Sequence, residues 1–286
     1  MKAQKTWLIT GASKGLGFEI AKAVLAAGDK VVATVRTKPE QLSNALDNNP
    51  DLQVVLLDVT NEEQARSAAQ QAISKFGRID VLVNNAGYGL LTAVEEASDA
   101  EVRKQYDTNV FGLLNVTRAV VPYFRKQGSG HIINISSVLG FNTLPGLGIY
   151  GSTKFAVEGI TEGLALELAP LGIYATAVEP GLFRTNFLDE SSYFESKNVI
   201  SDYAATVGEL RKNAKHLHGN QPGDPAKLGK ALVKLAYTEK PPVHLMLGKD
   251  TLTMYQQKAA QRESEIAVWE EVTTGTDFEK VEAAVA

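Results

Sequence analysis

The sequence contains no cysteine, so disulfides, thiolate nucleophiles, zinc ribbons and iron–sulfur clusters are excluded. Histidine is scarce, with His131, His216, His218 and His244 the whole set. His216 and His218 form the only close pair, and two histidines in a short polar loop read as solvated, so no metal site is expected. No stretch reaches the ~18 apolar residues that a membrane helix needs. The chain runs from Met1 through Trp7-Leu8-Ile9 into a glycine-rich turn, without the apolar core and cleavage site of a secretory signal. Neither charge sign dominates: 29 basic and 33 acidic side chains give a net charge of −4, and no long basic run marks a nucleic-acid partner. These absences predict a soluble, cytoplasmic protein that binds neither nucleic acid nor membrane.

What is present is a chain of 286 residues, 44% hydrophobic, ample for a substantial core. Short apolar runs alternate with longer helical patterns. Strands are predicted at 6–9, 30–35, 52–57, 81–83, 131–135, 174–178 and 243–247. Helices are predicted after residue 15 and over 62–76, 102–123, 150–168 and 225–237. Gly128 and Gly172 are placed to end two of them. This alternation predicts a parallel sheet covered by helices on both faces. No composition shift divides residues 1–286 into two domains. The 189–223 stretch interrupts the alternation, follows a strand end and carries Tyr193, Phe194 and Tyr203, which suits a substrate lid. Residues 251–286 form a polar extension, helical in part, that either packs at a subunit contact or frays.

Chemistry is signalled at the strand ends. Thr10-Gly11-Ala12-Ser13-Lys14-Gly15-Leu16-Gly17 lies between the first strand and a helix. A glycine-rich turn there lets a pyrophosphate approach the backbone and the helix N-terminus. The second strand ends Thr34-Val35-Arg36-Thr37, without the carboxylate that would bond an unphosphorylated ribose. Arg36, with Lys14, can instead meet a 2′-phosphate, so NADP(H) is expected over NAD(H). Asp58 ends the third strand, with Val59 beside it, and is placed either for the adenine amine or to cap the next helix. Asn84-Asn85-Ala86-Gly87 ends the fourth strand and suits a ribose or a plain turn.

Tyr150 and Lys154 stand at i and i+4 and so share one helix face, where an ammonium would lower the phenol pKa towards a workable acid/base. Ser137, just past a strand end, can polarise a carbonyl oxygen. Asn109 is an amide inside an apolar helix and needs partners there: it could brace the helix or hold a water leading protons towards Lys154.

Taken together, these residues resemble the short-chain dehydrogenase/reductase family: Thr10–Gly17, Asn84–Gly87, Asn109, Ser137, Tyr150/Lys154 and Pro180-Gly181-x3-Thr185 match its motifs, in its order. The resemblance implies a Rossmann-like, doubly wound sheet of about seven parallel strands. It implies a tetrad of Asn109, Ser137, Tyr150 and Lys154. Tyr150 would donate a proton to the carbonyl oxygen, Ser137 polarise it, Lys154 hold the nicotinamide ribose and Asn109 support a replenishing water. Thr185 and the backbone at Gly181 would orient the carboxamide. It also implies a homodimer or homotetramer.

Apolar residues are expected to wall the substrate pocket: Tyr88, Leu139, Phe141, Leu144, Leu147, Phe183 and Phe187. They suit an apolar or aromatic ketone or aldehyde. The expected function is therefore an NADPH-dependent carbonyl reductase. A steroid or 3-oxoacyl reductase is the alternative of the same chemistry. A catalytically silent NADP(H) sensor is the alternative of another class.

Overall fold

The computed structural model describes residues 3–189, 192–217 and 219–278. The chain begins with β1 (Thr6–Ile9), α1 (Gly15–Ala26), β2 (Lys30–Val35), α2 (Pro39–Ala45), β3 (Leu52–Leu56), α3 (Glu62–Phe76) and β4 (Val81–Asn84). Next come β5 (Gly89–Leu91), α4 (Asp99–Tyr106), a π-helical turn (Asp107–Gly112), α5 (Leu113–Gln127), β6 (Gly130–Ile135), α6 (Gly148–Leu168) and β7 (Ile173–Pro180). The last third holds β8 (Tyr193–Glu195), α7 (Glu209–Leu217), α8 (Pro225–Ala236), β9 (His244–Leu247) and α9 (Lys249–Thr274).

Seven strands form one parallel sheet in the order β3-β2-β1-β4-β6-β7-β9. This is the doubly wound, Rossmann-like sheet expected. Strand order reverses between β1 and β4, and ligands of such sheets bind at the carboxyl ends beside that reversal. Side chains alternate between two cores. Trp7 and Ile9 enter one, with Val24 of α1 and Leu232 of α8, while Leu8 enters the other, with Val116 of α5 and Ala69 of α3. All four β1 residues are buried, which is why the strand reads as apolar throughout rather than alternating.

Helix limits follow local chemistry. Asn61 caps α3 by accepting the Gln64 N–H at 3.0 Å. After α6 a short 3-10 turn leads to Gly172, whose φ of 72° is left-handed and stops the helix as predicted. Three features were not foreseen. Helix α2 is short and polar, with Leu42 its one buried residue. The helix predicted over 102–123 is interrupted at Asp107–Gly112 by a π turn. Lastly, β5 and β8 pair in parallel as a separate two-stranded sheet.

That small sheet ties the 189–223 stretch to the body. Glu96, buried beside β5, receives the N–H groups of Ala93 and Ile200, each at 2.9 Å, and an ion pair from Arg211 at 2.5 Å. The stretch is therefore tied to the body at β5 and Glu96; residues 190, 191 and 218 within it lie outside the described residues. The His218 of the close histidine pair lies outside them too, as does the His216 side chain. No described helix is long and apolar enough to cross a membrane.

Candidate active site

The carboxyl ends of β1 and β4 are laced together by short polar groups. The Thr10 hydroxyl accepts the N–H groups of Asn85 at 2.9 Å and Ala86 at 3.0 Å. The Asn85 amide donates to the carbonyls of Thr10 at 2.9 Å and Gly11 at 3.0 Å. Gly17 must lack a side chain, because a Cβ there would stand 2.5 Å from both the Asn85 amide and the Gly11 carbonyl oxygen. Gly11 has φ +65°, and a Cβ on it would stand 2.9 Å from Ala86 Cα. Asn85 thus braces the glycine turn with its side chain rather than standing open at the sheet edge.

Among the described residues no side chain caps the start of α1, no acidic residue occupies its first turn, and a side chain on Gly15 would meet only Thr185, at 3.7 Å. The N–H groups of a helix's first turn, at the positive end of its dipole, suit an anion. Ser13 and Lys14 are exposed at the rim, and Leu16 is half-buried against the core. Arg36 is exposed one residue past β2 and makes no ion pair among the described residues. Asp58, exposed past β3, accepts the N–H of Thr60 at 3.0 Å and its hydroxyl at 2.8 Å. The side chain that caps α3 is Asn61, not Asp58. Val59 packs its side chain on Gly112 and gives its carbonyl to the Asn115 amide at 3.0 Å.

Tyr150 and Lys154 stand on one face of α6, both buried, with the ammonium 5.7 Å from the phenol ring centroid. The Lys154 Nζ donates to the Ile135 carbonyl at 2.8 Å, the last residue of β6. Ser137 accepts the Leu139 N–H at 3.1 Å and shares a hydrogen bond with the Tyr150 phenol. Burial pushes the Tyr150 phenol well above its ordinary value, and the Ser137 hydrogen bond only partly opposes this. Lys154 was expected to pull it down. Among the chain's own groups burial wins, because the ammonium lies over the ring and is engaged by Ile135. Lys154 is itself pushed down to about 8 by burial, against the opposing charge of Glu158.

Asn109 sits in the π turn. Its amide donates to the Tyr88 carbonyl at 3.0 Å and the Thr153 hydroxyl at 3.2 Å, and its oxygen accepts the Tyr88 N–H at 3.1 Å. It ties the chain after Gly87 to α6. Gly87 makes room, since a Cβ there would stand 3.2 Å from the Asn109 oxygen.

Leu139, Leu147 and Tyr150 form one apolar cluster with Phe141 and Phe187. The Phe187 ring lies 5.9 Å from Tyr150 and 6.3 Å from Tyr193. Three expected wall residues are placed otherwise. Phe183 packs on the α1/α8 core, because its segment bridges to Gly223 and turns that ring away. Leu144 is exposed at the rim. The Tyr88 ring packs edge-on against Phe194 at 5.3 Å, outside the cluster, and its phenol is pushed up to about 12 by burial and by Asp107 and Glu101. Pro180 closes β7, and Gly181 donates to the Leu247 carbonyl at 2.9 Å. Thr185 spends its hydroxyl on the Phe187 N–H at 3.2 Å.

Sequence reasoning missed several groups. Leu91, Tyr193, Val207, Met254 and Tyr203 also belong to the cluster, and of these only Tyr193 and Tyr203 carried a signal, as aromatics in the suspected lid. Glu158, one turn after Lys154, packs against Ser136 and Gly140. Its carboxylate and that of Glu179 each lie 3.1 Å from Nδ1 of His244. Burial and the neighbouring Glu158 charge raise the Glu179 carboxyl. The Glu at i+4 of Lys154 was the available clue.

Known proteins resemble this chain in sequence and fold. The model of the short chain dehydrogenase family matches residues 5–195. An oxidoreductase of Botryotinia fuckeliana, BOA17, is 40% identical over 259 residues, 90% of this chain and 93% of that one. The 3-ketodihydrosphingosine reductase of Bacteroides thetaiotaomicron is 39% identical over 248 residues, 84% of this chain and 87% of that one. The crystal structure of a short-chain dehydrogenase from Streptomyces avermitilis superimposes with a TM-score of 0.89 at 41% identity, covering 96% of this chain and 100% of that one.

Proposed function

The chain belongs to the short-chain dehydrogenase family, an oxidoreductase family, and on that premise we propose that it is an NADP(H)-dependent carbonyl reductase. Its substrate is an apolar or aromatic ketone or aldehyde, with the secondary or primary alcohol in reverse. The observation that carries this reading is the buried Tyr150 phenol, hydrogen-bonded to Ser137 and walled by Leu139, Leu147 and Phe187. A polar, charge-seeking substrate would find no partner in that wall.

The strand ends fit the cofactor. The uncapped start of α1, with the backbone of Gly11–Gly17, takes the pyrophosphate. Arg36 and Lys14 would take the ribose phosphate, Asp58 and Val59 the adenine, and Asn85 to Gly87 the inner ribose. Lys154 would hold the nicotinamide ribose, and Gly181 and Thr185 would orient the carboxamide. When bound, the cofactor supplies the hydride. Tyr150 holds the proton for the carbonyl oxygen, and its raised pKa keeps that proton in place until charge develops on the oxygen. Ser137 donates a second hydrogen bond to the same oxygen. Asn109 fixes, through Tyr88, the segment that would carry the cofactor's inner ribose.

The name of the Bacteroides relative favours one second reading, a reductase of long-chain 3-oxo substrates. Both readings are tested by following nicotinamide absorbance with NADPH and with NADH over aryl ketones, aldehydes, steroids and 3-oxo compounds, with Tyr150→Phe as control. Faster NADPH loss on apolar ketones, absent in the variant, is the expected result. Preference for 3-oxo compounds selects the second reading. Tight NADPH binding without turnover of any carbonyl would overturn both in favour of a sensor.

A further inference from the structure

Two of the nine tyrosines are buried, Tyr150 at 7% exposure and Tyr193 at 9%. Both belong to the apolar cluster of the candidate substrate wall, and the Phe187 ring links them. The sequence builds a seat for the second phenol. Tyr193 opens β8 and pairs with Gly89 of β5. A Cβ on Gly89 would stand 2.8 Å from Tyr193 Cδ2 and 3.3 Å from Phe187 Cε1, so the missing side chain is the space into which both rings fit. The next residue, Phe194, turns to the other face of the strand and meets Tyr88.

The seat supplies no partner for the hydroxyl. Among the described residues the Tyr193 hydroxyl makes no hydrogen bond. Tyr203, the third tyrosine of the cluster, is served differently, since its hydroxyl donates to Glu95 at 2.5 Å. Leu91, Leu139, Leu147 and Val207 of the same cluster bring no side-chain acceptor. Burial raises the Tyr193 phenol, and the charges of Glu195 and Tyr150 raise it further, so it stands as a neutral donor within electrostatic reach of Tyr150. A buried hydroxyl without an acceptor costs free energy that a ligand oxygen would return.

We propose that Tyr193 is a specificity-determining residue that donates a hydrogen bond to a second, uncharged oxygen of the substrate. The inference rests on the carbonyl reductase reading and narrows it. The substrate is an apolar ketone or aldehyde that carries an ester, ether or hydroxyl oxygen besides its carbonyl. A carboxylate in that place would be buried without a cation of its own, because Arg211, the cation that acts on Tyr193, gives both terminal nitrogens to Glu96. With Tyr150 and Ser137 on the reacting oxygen and Tyr193 on the other, the substrate is held at two points.

The test uses two ketones of equal length: an aryl 3-oxo ester, and the aryl alkyl ketone in which methylene groups replace the ester group. The readout is the ratio of their kcat/KM values with NADPH. Tyr193→Phe keeps the ring in its seat and removes the hydroxyl alone. It is expected to lower the ratio, oxo ester over ketone, by about 3- to 10-fold, the effect of one neutral hydrogen bond. An equal change for both substrates would overturn the inference and leave the reductase reading standing. Calorimetry on Tyr150→Phe with NADPH, with and without Tyr193→Phe, measures affinity for the same pair without chemistry. A preference for the oxo ester that depends on Tyr193, with no turnover by the unsubstituted protein, would keep the Tyr193 contact and overturn the reductase reading. An affinity ratio that Tyr193→Phe leaves unmoved would overturn the inference, and failure of either ketone to bind or turn over would overturn both.

Discussion

The cofactor side and the substrate side of this site are built in different ways. At the carboxyl ends of β1 and β4 the bracing groups are main-chain atoms and two short side chains, Thr10 and Asn85, within hydrogen-bond reach of glycines. On the substrate side the wall is gathered from Leu91, Leu147, Phe187, Val207 and Met254, which lie far apart in the sequence and meet only through packing. The first construction tolerates almost no substitution at Gly11 or Gly17. The second accepts any apolar residue of suitable volume. A single framework can thus keep one cofactor and vary its substrate.

The sharpest break in that division falls where the two sides meet. Tyr150→Phe removes the proton donor and is expected to lower kcat by about 10³-fold or more, within the range of general acid catalysis. Fluorescence titration should show NADPH binding nearly unchanged; retained turnover would sink the assignment. On the substrate side, Arg211→Ala strands the buried Glu96 carboxylate. Breaking a buried pair costs about 3–5 kcal/mol, and here Arg211 and Glu96 side chains are 13% and 0% exposed. The 189–223 stretch should become accessible to protease and KM for the carbonyl should rise, with NADPH affinity unaltered. If NADPH affinity falls in step, the two sides are not separable.

The converse test is Arg36→Asp. Loss of a charge-assisted contact should weaken NADPH by about 1–3 kcal/mol, leave NADH almost untouched and leave substrate KM alone. Equal weakening of both cofactors would show that Arg36 does not read the phosphate. The smallest expected effect concerns pH. Lys154 loses its proton near 8, so kcat/KM for reduction should fall as pH rises through that value. Glu158 holds the lysine's pKa up, and Glu158→Gln should therefore move the fall to lower pH. A profile that does not move would remove Glu158 from the lysine's electrostatic surroundings.

The same contrast explains what could be read from the sequence. Strands were legible because burial on both faces leaves unbroken apolar runs, and two helix ends because Gly128 and Gly172 mark the stops. Tyr150, Lys154 and the glycine turn were legible because their spacing is set by one helix face and one turn. Leu91 and Met254 were not, since nothing local distinguishes a wall residue from any other buried apolar side chain. Phe183 was misplaced for a related reason: the loop after β7 looks uniform in sequence, but its bridge to Gly223 swings one ring to the opposite core. The π turn was invisible because its cause is tertiary, in the hold of Asn109 on Tyr88 and the approach of Val59 to Gly112.

A π turn carries one residue more than the α-helical turn it replaces. Helices α4 and α5 are therefore about 100° out of phase with one another. Removing a single residue from Asp107–Gly112 would let an uninterrupted helix run from Asp99 to Gln127, and Asn109 would rotate off Tyr88. The helix would be continuous, but the buried Val116, Val120 and Phe124 of α5 would turn off the core, or the segment after Gly87 would lose its tie to α6.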